Sequence, residues 1–104
     1  MADWVKAVSV DELPPGERIV IDIDGLFIAV FNVGGRFYAI EDVCTHDNGP
    51  LAEGELDGYE IECPRHGARF DIRSGKVLSF PAVQDVPWFP TKVEDGDVMV
   101  DVEE

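Results

Sequence analysis

At 104 residues the chain has room for one small domain and none for a second catalytic one. Its 22 acidic residues against 8 basic ones give a net charge of −14, which excludes a nucleic-acid binder and disfavours anionic membrane surfaces, because phosphates must be met by cations. An apolar content of 45% with 10% aromatics excludes a disordered chain.

The opening residues, Met1-Ala2-Asp3-Trp4-Val5-Lys6, lack a cationic region followed by an apolar stretch, so no signal peptide is expected. The longest apolar run, 26–31, is far too short for a membrane span. A soluble, cytoplasmic protein is expected. Its acidity serves solubility, or steers the chain towards a basic redox partner.

In chain order, the first predicted strand covers 4–8. Residues 9–13 are compatible with one helical turn, and Pro14-Pro15-Gly16 marks a loop. Strands over 18–23, 26–33 and 36–40 are separated by Asp24-Gly25 and Gly34-Gly35. These dipeptides favour tight hairpin turns. Asp57-Gly58 precedes a strand over 59–63, Ser74-Gly75 one over 76–80, and the turn 94–97 one over 98–102. Many short strands with such turns predict an all-β fold, a small antiparallel sandwich or barrel. Trp4, Trp88 and Phe89 read as core or loop packing.

The chemistry is concentrated in two boxes. Cys44-Thr45-His46 is followed, after sixteen residues, by Cys63-Pro64-Arg65-His66-Gly67. Both cysteines and both histidines of the chain fall in this pattern. Thiolate sulfur and imidazole nitrogen suit iron–sulfur clusters, copper or zinc. The stretch 47–62 is long enough for a hairpin to leave and return, so the pairs can face one centre. Gly49 and Gly67 follow the two pairs and would let backbone N–H groups approach cluster sulfurs. On residues alone other readings stand beside this one. A structural zinc site fits Cys-x-His spacing poorly. A Cys–His nucleophile has nothing to select one Cys. A disulfide is disfavoured by a reducing compartment.

Cys44-Thr45-His46 and Cys63-Pro64-Arg65-His66-Gly67-Ala68-Arg69-Phe70-Asp71 closely resemble the two signature boxes of Rieske proteins. The likeness extends to 42–56, 75–82 and 93–102. It implies one Rieske domain over 1–104, a base sandwich with an inserted cluster-binding subdomain at about 42–82. It also implies one [2Fe–2S] cluster held by Cys44, His46, Cys63 and His66, the cysteines on one iron and the histidines on the other. Pro81 would lie in the loop covering the cluster's third side. Neutral imidazoles in place of two thiolates lower the negative charge, so Rieske potentials run from roughly −150 to +300 mV, against roughly −400 mV for plant-type clusters. High-potential respiratory members have Ser where this chain has Ala68 and Tyr where it has Phe70, a further disulfide, and a membrane anchor. Lacking these, the chain resembles the low-potential bacterial ferredoxins.

The resemblance implies a monomeric electron carrier between a flavin-dependent ferredoxin reductase and a terminal ring-hydroxylating oxygenase, with no catalytic residue of its own. The edges of His46 and His66 are the implied exit route. Alternatives are a small Rieske subunit of a reductase complex, like that of assimilatory nitrite reductase, a ferredoxin associated with iron–sulfur assembly, and a structural zinc module. A terminal oxygenase is disfavoured, since no further His is present for a mononuclear iron. Arg65, Arg69, Arg73 and Lys76 gather at the cluster end with only Asp71 among them. They either form a cationic docking tip or pair with carboxylates such as Glu60 and Glu62.

Overall fold

The computed structural model describes residues 3–45, 49–65 and 67–102. Eleven strands are assigned among them: β1 Trp4–Ser9, β2 Arg18–Ile23, β3 Leu26–Val33, β4 Arg36–Glu41, β5 Leu56–Asp57, β6 Glu60–Glu62, β7 Arg69–Asp71, β8 Val77–Ser79, β9 Trp88–Phe89, β10 Thr91–Glu94 and β11 Asp97–Asp101. They form three antiparallel sheets, ordered β1-β11-β10, β2-β3-β4-β9 and β5-β6-β7-β8. The expected all-β antiparallel architecture is present. A single 3₁₀ turn, Val10–Glu12, occupies the stretch compatible with a helical turn.

The hairpins follow from their turns. Between β2 and β3, Asp24 and Gly25 have φ of 52° and 88°. Positive φ at both central residues is the type I′ geometry whose twist matches the strands. It sets the register Ile23↔Leu26 through Arg18↔Phe31. The predicted bounds of β2 and β3 agree with the structure.

The middle of β3 is buried on both faces, which is why the strand reads as a continuous apolar run instead of alternating. Ile28, Val30, Ala39 and Phe89 share one core with Val98 and Val100 of the first sheet. Ala29, Phe31 and Ile40 share the other with Ile61, Phe70, Cys44 and Cys63. Asn32, only 3% exposed, has its polar atoms satisfied: its Nδ2 donates to the Leu13 carbonyl at 2.8 Å and its Oδ1 accepts from Gly35 N–H at 2.9 Å. That ties the Pro14-Pro15-Gly16 loop to the sheet.

Three strands escape the sequence pattern. β7 is only Arg69-Phe70-Asp71, inside the second box, and β9 is only two residues. β10, Thr91–Glu94, leads into the turn predicted at 94–97. The turn after β5 is Gly58-Tyr59, so the predicted 59–63 strand shortens to Glu60–Glu62. Phe89 packs as expected. Trp88, on the opposite face of the same short strand, remains 49% exposed. Trp4 is half-buried with the Lys92 Nζ 4.4 Å from its ring centre.

Candidate metal centre

The two cysteines end up in one dry cluster of side chains. Cys44 is 0% and Cys63 1% exposed, and both carry thiols, not a disulfide. Ala68, Phe70, Leu51, Ala52 and Ala82 are buried with them. Apolar walls around two thiols suit a soft, thiolate-bound group. His46 and His66 lie outside the described residues. Among the described residues, which therefore hold no histidine, no group of three or more His, Cys, Asp or Glu side chains is placed to bind a metal ion.

The Cys44 segment is anchored on both sides. Asp42 N–H donates to the Phe27 carbonyl of β3 at 2.8 Å, and Cys44 N–H to the Gly49 carbonyl at 2.6 Å. The Asp42 carboxylate accepts from the N–H groups of Leu51 and Ala52, both at 2.8 Å, and so closes the loop behind the first box. The Cys63 segment is a tight turn: Cys63 N–H donates to the Ala68 carbonyl at 2.7 Å and Gly67 N–H to the Cys63 carbonyl at 3.0 Å. The Gly67 N–H thus closes the turn that starts at Cys63.

A third segment, 80–86, closes against the first. The Thr45 hydroxyl donates to the Gln84 carbonyl at 2.6 Å. Val86 N–H donates to the Gly75 carbonyl at 2.8 Å, and Asp85 Oδ1 accepts from Val77 N–H at 2.9 Å. Pro81, expected in a covering loop, follows a cis peptide bond in this segment. The loop presents Phe80 and Val83 to solvent, 80% and 73% exposed.

The charges at this end are largely paired. Arg69 contacts Glu62 at 3.1 Å and Glu60 at 3.6 Å. Arg73 forks onto Asp71 at 2.9 and 3.1 Å and stacks 4.2 Å from the Tyr59 ring centre. Hydrogen bonds from the Arg73 side chain hold the Asp71 carboxyl below its ordinary value, opposed in part by burial. Tyr59 meets Tyr38 of β4 edge-on at 5.6 Å, joining the third sheet to the central one. For Arg69 and Arg73, pairing with local carboxylates is the outcome. Sequence reasoning missed the parts played by Asp42 and Thr45, although Thr45 lies inside the first box and Asp42 two residues before it.

A match to the Rieske [2Fe–2S] domain covers residues 3–90. The chain belongs to the Rieske [2Fe–2S] domain family. The ferredoxin component of the naphthalene 1,2-dioxygenase/salicylate 5-hydroxylase systems of Ralstonia sp. is 38% identical, covering 97% of both chains. The biphenyl dioxygenase ferredoxin subunit of Pseudomonas sp. strain KKS102 is 44% identical over 94% of this chain and 91% of its own. Among solved structures, the ferredoxin of carbazole 1,9a-dioxygenase from Nocardioides aromaticivorans IC177 superposes with a TM-score of 0.90 at 32% identity, covering 96% of this chain and 98% of that one. This Rieske domain is accordingly a ferredoxin component with an electron-transfer role, not a catalyst, and its cofactor is a [2Fe–2S] cluster. The pair of buried thiols fits that cofactor. Among the described residues, no helix is long and apolar enough to cross a membrane.

Proposed function

We propose that this Rieske ferredoxin takes single electrons from a flavin-dependent reductase and delivers them to the terminal oxygenase of an aromatic-ring dioxygenase system, as a cytoplasmic monomer. Cys44 and Cys63 would hold one iron of the cluster and His46 and His66 the other, in a subdomain of about 42–82 within one domain over 1–104. When bound, the cluster supplies one reversible electron equivalent at a potential raised by neutral imidazole ligation. The chain's own residues do the rest. The turns around Cys44 and Cys63 bury both residues in one cluster with Leu51, Phe70 and Ala82, which keeps water from them, and the Thr45–Gln84 bond holds the third loop beside the first. Ala68 and Phe70 bring no hydroxyl near the thiols, which supports a low potential.

The observation that carries this reading is the shared burial of the Cys44 and Cys63 thiols, 0% and 1% exposed, at the ends of two short turns. The names of the similar proteins, ferredoxin components of naphthalene and biphenyl dioxygenase systems, support the choice of partners. The test is metal and sulfide analysis of protein made anaerobically, with the paramagnetic resonance spectrum of the dithionite-reduced form. Iron and acid-labile sulfide in equal amounts, with a mean g-value of mixed His/Cys ligation, are expected. A colourless zinc protein, or product formation by reductase and oxygenase that does not need this chain, would sink the proposal.

A further inference from the structure

The backbone between the two cysteine segments is held from the central sheet by one side chain. Arg18, at the start of β2 and half-buried, donates from a single Nη1 to two carbonyls, Ala52 at 2.9 Å and Gly54 at 2.5 Å. Its guanidinium carbon lies 5.8 Å from the centre of the Phe31 ring, in the core that also contains both cysteines. Those two carbonyls belong to the turn 51–54, which is bonded at both of its ends to the thiol segments. On the Cys44 side, Leu51 and Ala52 donate to the Asp42 carboxylate. On the Cys63 side, Glu62 N–H donates to the Glu55 carbonyl at 2.9 Å. Gly54 meets the Glu62 backbone so closely that a Cβ there would overlap its carbonyl oxygen.

We infer that Arg18 is a positioning residue for the metal centre, a cation of the scaffold that sets the backbone linking the Cys44 and Cys63 segments and thereby the separation of the two thiols. The inference rests on these cysteines being cluster ligands. Its physical basis is the fork. Two part-buried carbonyls converge on one charged nitrogen, so they point the same way and the turn has one arrangement. A charged donor makes the stronger kind of hydrogen bond. Without it both carbonyls must turn to water, and the segments they hold move with them.

The test uses the full chain with its cluster assembled, as wild type, Arg18→Lys and Arg18→Met. Methionine keeps an apolar stem against Phe31 and has no donor, whereas lysine keeps the charge and three N–H groups. Loss of the visible chromophore into excess ferrous chelator gives the release rate, and the reduced-state resonance spectrum reports cluster geometry. Mutating the outer partners of metal ligands commonly costs about 10- to 100-fold in metal affinity. Arg18→Met is therefore expected to release iron at least about tenfold faster and to broaden the spectrum. Arg18→Lys should restore both towards wild type, which a packing role for the stem would not do. Should Arg18→Met not fold, Arg18→Gln against Arg18→Leu makes the same comparison, with the same two outcomes. Met retaining the cluster as long as wild type, or Lys losing it as fast as Met, would overturn the role of Arg18 alone. A wild-type chain that takes up no iron overturns this inference together with the ligand assignment.

Discussion

Arg69 of β7 and Glu62 of β6 are direct cross-strand partners, and their side chains meet at 3.1 Å. The same arginine reaches Glu60 at 3.6 Å, so a residue that looks cationic along the chain sits in a pair of carboxylates once the strands associate. All three side chains are between a third and a half exposed, which limits what the pairing adds. Arg69→Gln is expected to lower stability by about 0.2–1 kcal/mol in urea unfolding, less at high salt. A loss several times larger would mean that Arg69 packs, and does not merely pair.

Asp71 gives the fold a dependence on acid. Its carboxyl is held below the ordinary value of 3.8, first by the Arg73 side-chain hydrogen bonds. A folded-state value below the unfolded one means that this stabilisation is fully present above the ordinary carboxylate range. It is lost as pH falls through the lowered value. Asp71→Asn should therefore unfold at lower urea concentration than wild type at neutral pH, and the two midpoints should converge in acid. Parallel midpoints at every pH would sink the account.

Ala68 offers the route to a higher potential. It is fully buried in the core that holds both thiols. A hydroxyl there can donate to sulfur and favour the reduced state. Ala68→Ser should raise the midpoint potential by an amount on the order of tens of millivolts in protein-film voltammetry. An unchanged or lowered value counts against it.

Phe80 and Val83 are exposed apolar side chains of the segment whose Gln84 carbonyl accepts from the Thr45 hydroxyl. A contiguous exposed apolar patch is a surface on which a partner can dock. The double change Phe80→Ser and Val83→Ser should slow second-order electron transfer to the proposed oxygenase acceptor several-fold in stopped-flow mixing. The midpoint potential should stay the same, because neither side chain is in the buried core around the thiols. Equal rates for both proteins would remove this loop from the contact surface.

The sequence by itself determined the all-β character, the long hairpins with their registers, and the two boxes that carry the thiols. These are local properties: a dipeptide such as Asp24-Gly25 admits one kind of turn, and ligand types at short spacing are legible without a fold. Tertiary structure alone decided the rest. β7 is three residues long and shows no period of its own, so only its place between β6 and β8 makes it a strand. The grip of Arg18 on Ala52 and Gly54 and the bond from Thr45 to Gln84 join positions far apart in the chain. No local pattern encodes such contacts, because they exist only after three sheets have stacked and brought distant backbone carbonyls within reach of a donor.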